Sequence, residues 1–193
     1  MNARKEKASS CALVNAVPMP EWLRKAEEEQ IGAILPDDEK KLEFTIRLAA
    51  ENVRRGTGGP FAAAIFEKDS HRLVAAGINV VVPARQSWAH AEMTAFARAQ
   101  NILGTHCLKG CILVTSCEPC AMCFGATPWS GVEKLVYGAT REMAESVGFD
   151  EGSKVENWVA ELRKRGIETV GPLLKELSLK PFALFQELSG KLY

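Results

Sequence analysis

The chain has 193 residues, enough for one domain with a buried core and no need of disulfide staples. Its 24 Lys and Arg balance 24 Asp and Glu, so the composition carries no basic footprint of the kind that nucleic-acid binding leaves, and this weighs against a nucleic-acid partner. No apolar run is long enough to span a membrane, and the stretch from Cys11 to Val17 is broken by Asn15 without a small-residue cleavage pattern; neither a membrane partner nor a secretory signal is read.

Residues 1–35 read as an N-terminal extension, partly flexible, with Glu27, Glu28 and Glu29 on a solvated helix face. The body begins near Asp37. Asp37 or Asp38 caps a helix in which Leu42, Ile46 and Ala49 recur at helical spacing, and Gly56, Gly58, Gly59 and Pro60 end it. Phe61 to Phe66 reads as a buried strand, Lys68 to His71 as a turn, and Leu73 to Val82 as its hairpin partner. A helix from His90 to Leu103 is closed by Gly104. Cys111 to Thr115 is a short apolar strand, and Glu118 to Ala126 a helix with Pro119 in its first turn. Val132 to Tyr137 is a strand, followed by a helix to about Val147 and a loop from Gly148 to Gly152. A helix from Val155 to Arg165, a strand from Ile167 to Val170 and a helix from Leu173 to Leu188 complete the chain. Helices alternating with strands after an opening hairpin predict an α/β fold: a three-layer α/β/α sandwich with a mixed central sheet. The expected organisation is 1–35 as extension, 36–172 as the catalytic domain and 173–193 as a C-terminal helix and tail.

Three of the six cysteines crowd into Cys117, Cys120 and Cys123, which favours metal binding in a reducing, cytoplasmic compartment over disulfides. Cys120 and Cys123 are three apart, so both sulfurs face one side of a single helical turn, and a helix N-terminus favours the thiolate that binds metal. His90, at the start of another helix, completes three protein ligands. Zinc held by three residues keeps a fourth position for water, the catalytic arrangement. Glu92, two residues after His90, is placed to move a proton at that position without ligating the metal. A lone C-x-x-C also suits a redox pair, and Cys117 as a fourth ligand would make a closed structural site. The ordered combination of H-x-E with P-C-x-x-C favours zinc catalysis and is the signature of zinc deaminases.

At these residues the chain resembles the cytidine deaminase-like superfamily, and within it the bacterial guanine deaminases and the related plant guanosine deaminases. The resemblance is carried by Gly58-Gly59-Pro60-Phe61, Ala89-His90-Ala91-Glu92, Thr115 through Ala126, and Val147-Gly148-Phe149-Asp150-Glu151, spanning about residues 38 to 152. It implies that His90, Cys120 and Cys123 hold Zn2+ and that Glu92 is the proton shuttle. It implies that Asn79 hydrogen-bonds the base, with Ala91 beside it. Glu151 matches an acidic position that faces the guanine edge and is usually aspartate; Asp150 is the alternative. Phe61 and, more remotely, Trp129 are candidates for enclosing a purine. The resemblance further implies a homodimer with exchanged C-terminal segments, in which Tyr193 would close the partner's site.

The reaction so implied is hydrolytic deamination of guanine to xanthine and ammonia. The rivals are deamination of another small amine (guanosine, cytosine or an aminotriazine), deamination of tRNA adenosine, and a non-catalytic zinc-binding subunit. The last leaves Glu92 and an open metal position without a purpose.

Overall fold

The computed structural model describes residues 17–192. The elements, in order, are α1 (Glu21–Gln30), α2 (Asp38–Arg54), β1 (Ala62–Glu67), β2 (Leu73–Ile78), α3 (Val81–Ala84), α4 (Ala91–Leu103), β3 (Cys111–Cys117), α5 (Ala121–Ser130), β4 (Lys134–Ala139), α6 (Arg141–Ser146), α7 (Trp158–Lys164), β5 (Glu168–Val170) and α8 (Lys175–Glu187). The strands form a sheet in the order β2-β1-β3-β4-β5. β1 pairs antiparallel with β2 and β3, while β3, β4 and β5 run parallel. This is the mixed sheet between helical layers expected of the cytidine deaminase-like fold.

The strands read as continuous apolar runs because both faces of the sheet are covered. Ala62, Ala64 and Phe66 of β1, with Ile112, Val114 and Val136 of the next strands, pack under α1 and α2. The alternate residues Ala63, Ile65, Leu113, Leu135 and Tyr137 pack against α4 and α7 on the other side. This is the two-residue period of a strand expressed twice, once for each layer. α2 buries Leu42, Ile46, Ala49 and Val53, and carries Asp38 and Glu39 in its first turn, where they complement the helix dipole. Asp37 stands at its N-cap, but its carboxylate makes no capping hydrogen bond.

Several boundaries differ from expectation, each for a local reason. β2 stops at Ile78 rather than Val82: the carbonyl of Asn79 turns away to accept from Asn52 Nδ2 (2.8 Å) and the Gly59 amide (3.2 Å), and the chain enters the one-turn helix α3. β3 continues to Cys117 because it pairs with Ala139 of β4. α5 begins at Ala121 rather than Glu118, since Cys120 is still extended and Glu118 and Pro119 lie outside the helix.

The largest difference lies in the extension. α1 is docked on the body, with Leu23 fully buried. Glu28 and Glu29 are exposed as expected, but Glu27 is not a solvated residue. Its carboxylate accepts from Arg98 Nη1 (2.6 Å) and Nη2 (2.7 Å) and from the Ala76 amide (2.6 Å), while Arg98 also donates to the Ala76 carbonyl. Ala76 lies on β2, the edge strand, whose outward N–H and C=O have no neighbouring strand to pair with. The Glu27–Arg98 pair satisfies both groups and closes that edge.

Candidate metal centre and the cleft above it

Two helix N-termini meet over the C-terminal ends of the strands. His90 is the N-cap residue of α4, its backbone extended (φ −71°, ψ 162°), and its carbonyl accepts from Thr94 N at 3.0 Å. Cys120 is the N-cap residue of α5 (φ −62°, ψ 174°), its carbonyl accepting from Phe124 N at 2.8 Å, and Cys123 lies in the first turn that follows. α4 reaches this position because Gly77 lets it lie close on β2; a Cβ there would run into the Ala91 carbonyl and the Ala95 amide.

The ligand atoms of His90, Cys120 and Cys123 all lie within 4.8 Å of one another, and among the described residues they form the one such group of three. A nitrogen and two sulfurs converging from two helix ends fit a zinc ion with three protein ligands. Cys120 Sγ lies 3.5 Å from His90 Nδ1. The Cys120 thiol is brought down to about 4, first by the hydrogen bond from Cys123 and then by His90, against the effect of burial. Cys123 is pushed well above its ordinary value by the same hydrogen bond and by burial. Metal binding by thiols requires the thiolate form, so a divalent cation held here would favour deprotonation of both sulfurs. Burial disfavours the charged form of His90, but the Cys120 thiolate outweighs it and raises the imidazole.

Two buried carboxylates face this centre. Glu92, in the first turn of α4, accepts from Thr115 Oγ1 at 3.0 Å, and burial followed by the Cys120 thiolate raises its pKa. Glu151 comes from the loop between α6 and α7 and is pushed up to about 8, first by burial and then by Cys120 and Glu92. Both line a narrow cleft that also touches Asn79, His90 and Ala91. Asn79 is 1% exposed. Its backbone is held by Phe61 and Gly59, and its Oδ1 lies 3.4 Å from the Val81 amide, so the residue shapes the turn and lines the cleft together.

Of the remaining candidates, Asp150 is exposed at the rim, where its Oδ1 accepts from the Gly152 amide (2.9 Å); Glu151 is the buried member of the pair. Phe61 lines the cleft, but Trp129 is 81% exposed toward the end of α5 and is not part of the lining. Tyr193 lies outside the described residues. Cys117 is buried in the cleft wall with its Sγ 3.7 Å from the Thr140 carbonyl, and it does not join the three-ligand group.

Some neighbours have no signal in a single sequence. Phe61 packs edge-on against Phe149 (ring centroids 4.8 Å apart) and Phe182 (5.4 Å), and Phe149 packs on Phe185 (5.2 Å). Phe182 and Phe185 belong to α8, so the C-terminal helix packs on its own chain here and backs the aromatic wall of the cleft. At helical spacing they read only as core. Thr115, the donor to Glu92, reads only as a strand residue.

A family model described as the cytidine and deoxycytidylate deaminase zinc-binding region matches residues 35–139. The chain is 36% identical over 150 residues to the guanine deaminase of Bacillus subtilis, an alignment covering 78% of this chain and 94% of that one. Among solved structures it is similar to the guanine deaminase of Nitrosomonas europaea, with a TM-score of 0.82, 43% identity, and coverage of 90% of this chain and 94% of the other. A further similar structure, solved in complex with 2,6-diaminopurine, has a TM-score of 0.81, 43% identity, and coverage of 90% and 91%.

Proposed function

Because the chain belongs to the cytidine and deoxycytidylate deaminase zinc-binding family, we propose that it is a zinc hydrolase acting on the C–N bond of a cyclic amidine, and that its reaction is guanine plus water to xanthine plus ammonia. The observation that carries the choice of guanine is the buried Glu151 carboxyl facing the three-ligand centre, with Asn79 in the same cleft. Guanine offers two adjacent donors, N1–H and the 2-amino group, and the ionised form of the Glu151 carboxyl, which those two donors favour, accepts both. A base lacking them leaves the buried acid unpaired, which discriminates strongly. Similarity to guanine deaminases and to the 2,6-diaminopurine complex supports a small purine carrying a 2-amino group.

In this reading His90, Cys120 and Cys123 hold the zinc. Zinc, when bound, supplies Lewis acidity that lowers the pKa of a coordinated water to about 7. Glu92 takes the first proton of the water that attacks C2 and gives it to the adjacent ring nitrogen; it then takes the second proton, from the hydroxyl now on C2, and gives it to the amine as the C2–N bond breaks and the C2 carbonyl forms. The bond from Thr115 keeps one oxygen of Glu92 fixed and so orients the other. Asn79 and Glu151 hold the ring in register, Ala91 and Phe61 bound it, and the Phe149–Phe182 packing behind Phe61 excludes water.

The same reading takes the protein as a cytoplasmic homodimer. Cysteines that must stay reduced to bind metal support the compartment. Exposed Trp129 and Met122 on α5 support an apolar contact between copies. The segment 173–193 is the exchangeable element of that dimer, since α8 joins the body through side-chain packing that another copy can supply equally. Among the described residues, no helix is long and apolar enough to cross a membrane.

The test is ammonia release by zinc-loaded protein offered guanine, guanosine, adenine, cytosine and an aminotriazine. Guanine turnover is expected, and Glu92→Gln should lower kcat by about 10² to 10⁴-fold while zinc stays bound. Full activity in that variant, or turnover of every base except guanine, would sink the proposal.

A further inference from the structure

Lys154 is a long cationic side chain in the loop that carries Glu151, yet its side chain is only 3% exposed. Three partners converge on it. Its Nζ donates to Glu118 Oε1 at 2.6 Å and to the Pro119 carbonyl at 2.6 Å, and it lies 4.4 Å from the centroid of the Trp158 ring. Glu118, itself 10% exposed, is anchored in turn: its amide donates to the Ala139 carbonyl at the end of β4 (2.8 Å), and its other carboxylate oxygen accepts from the Arg141 amide (3.5 Å). Glu118 and Pro119 directly precede Cys120. The ammonium therefore ties the Glu151 loop to the segment that delivers a metal ligand. One further link runs between the same two segments, from the Ala121 amide to the Glu151 carbonyl (2.9 Å).

Burying an ammonium is unfavourable unless it is paired and hydrogen-bonded, and here a carboxylate, a carbonyl and an aromatic face meet that need together. A loop from 148 to 157 that only connected α6 to α7 would have no use for such a group. A single backbone bond leaves a loop free to pivot about it, whereas a second anchor three residues away removes that freedom. We propose that Lys154, through Glu118 and the Pro119 carbonyl, is a positioning residue that sets the distance of Glu151 from the metal centre and hence the reading of the base. The inference rests on Glu151 contacting the base, as in the function proposed above. Lys154 touches neither substrate nor metal in this scheme.

The test is a double-mutant cycle on zinc-loaded protein, combining Lys154→Met with Glu151→Gln and reading kcat/KM, zinc content and thermal midpoint. Lys154→Met is expected to lower kcat/KM by about 10²-fold, the loss that follows a misplacement of about 1 Å, while one zinc per chain is retained. In the Glu151→Gln background the same substitution is expected to change kcat/KM by less than about threefold, since two residues acting through one contact are not additive. Lys154→Arg, which keeps the charge and the donors, should recover part of the activity. Equal losses in both backgrounds, or wild-type kcat/KM in folded Lys154→Met, would overturn the inference. Should Lys154→Met fail to fold, Glu118→Gln takes its place in the cycle, with the same pattern expected and the same pattern overturning it. Failure of the wild-type protein to deaminate guanine would instead strike the proposed function, and the cycle would then be run on whichever base is turned over.

Discussion

Replacing Gly58 with alanine tests how the cleft is built, because the space for one methyl group is already taken. A Cβ at Gly58 would collide with the Asn79 carbonyl oxygen and stand 2.8 Å from Asn52 Nδ2 and 3.0 Å from the Asn79 carbonyl carbon. None of these can step aside cheaply. Asn52 Nδ2 donates to both the Asn79 and Gly59 carbonyls at 2.8 Å, and its Oδ1 accepts from Thr57 Oγ1 at 2.7 Å. Asn52 is fully buried, so a donor pushed off its acceptors finds no water in their place. Each buried polar group left unsatisfied is worth about 1–3 kcal/mol, which puts the Gly58→Ala loss at about 3 kcal/mol. For a chain of this size the thermal midpoint should fall by roughly 6–12 °C. The carbonyl displaced is that of Asn79, so its side chain shifts as well, and kcat/KM for guanine should drop by about 10²-fold. Zinc content should be unchanged, because His90, Cys120 and Cys123 are carried on other segments. Gly125→Ala is the control: nothing lies within 4 Å of its Cβ, and removing a glycine from a helix should be neutral or stabilise by up to about 1 kcal/mol. Differential scanning calorimetry, zinc analysis and ammonia release together read all three expectations. A Gly58→Ala protein with wild-type midpoint and wild-type turnover would refute the reasoning.

Cys123→Ser should abolish stoichiometric zinc, and the wild-type protein should lose thermal stability on chelation, since metal bound only by the folded chain contributes its binding energy to folding; calorimetry with and without chelator measures both. Thr115→Val removes the hydroxyl that donates to Glu92 and should lower kcat by about tenfold, the equivalent of one hydrogen bond, with KM little changed in steady-state assays. Glu27→Ala strips the edge strand of its carboxylate clamp and leaves Arg98 without its ion-pair partner; urea titration should show a loss of about 2–3 kcal/mol, with kcat/KM per folded molecule unaltered.

The metal centre was legible because its geometry is local. Two sulfurs three residues apart in one turn, and a histidine and a glutamate two residues apart at a helix start, are set by helix geometry, with Pro119 just before one helix and Gly104 just after the other. The central strands were legible for a related reason: a sheet covered on both faces leaves uninterrupted apolar runs such as Cys111 to Val114. Asn79 and Glu151 stand out only through resemblance to a family, because a turn asparagine or a loop acid looks the same in one sequence whether it is buried or exposed.

Apart from the metal motif, whose two halves are recognisable by their order in the chain, the contacts between distant segments were silent until the chain was folded. Glu27 reads as one of three solvated acids, and only the tertiary structure sets it against Arg98, 71 residues away, and against the edge of the sheet. Lys154 reads as a loop lysine until it is buried on Glu118, 36 residues away. Phe182 and Phe185 read as core positions of a terminal helix until they stand behind Phe61. What one sequence carries is the set of side chains able to hold a zinc ion, since each half of that set, Cys120 with Cys123 and His90 with Glu92 beside it, is spaced within a helical turn. The tertiary structure alone decided what surrounds them, because desolvation, ion pairing and aromatic packing arise only when segments far apart in the chain exclude water from the same place.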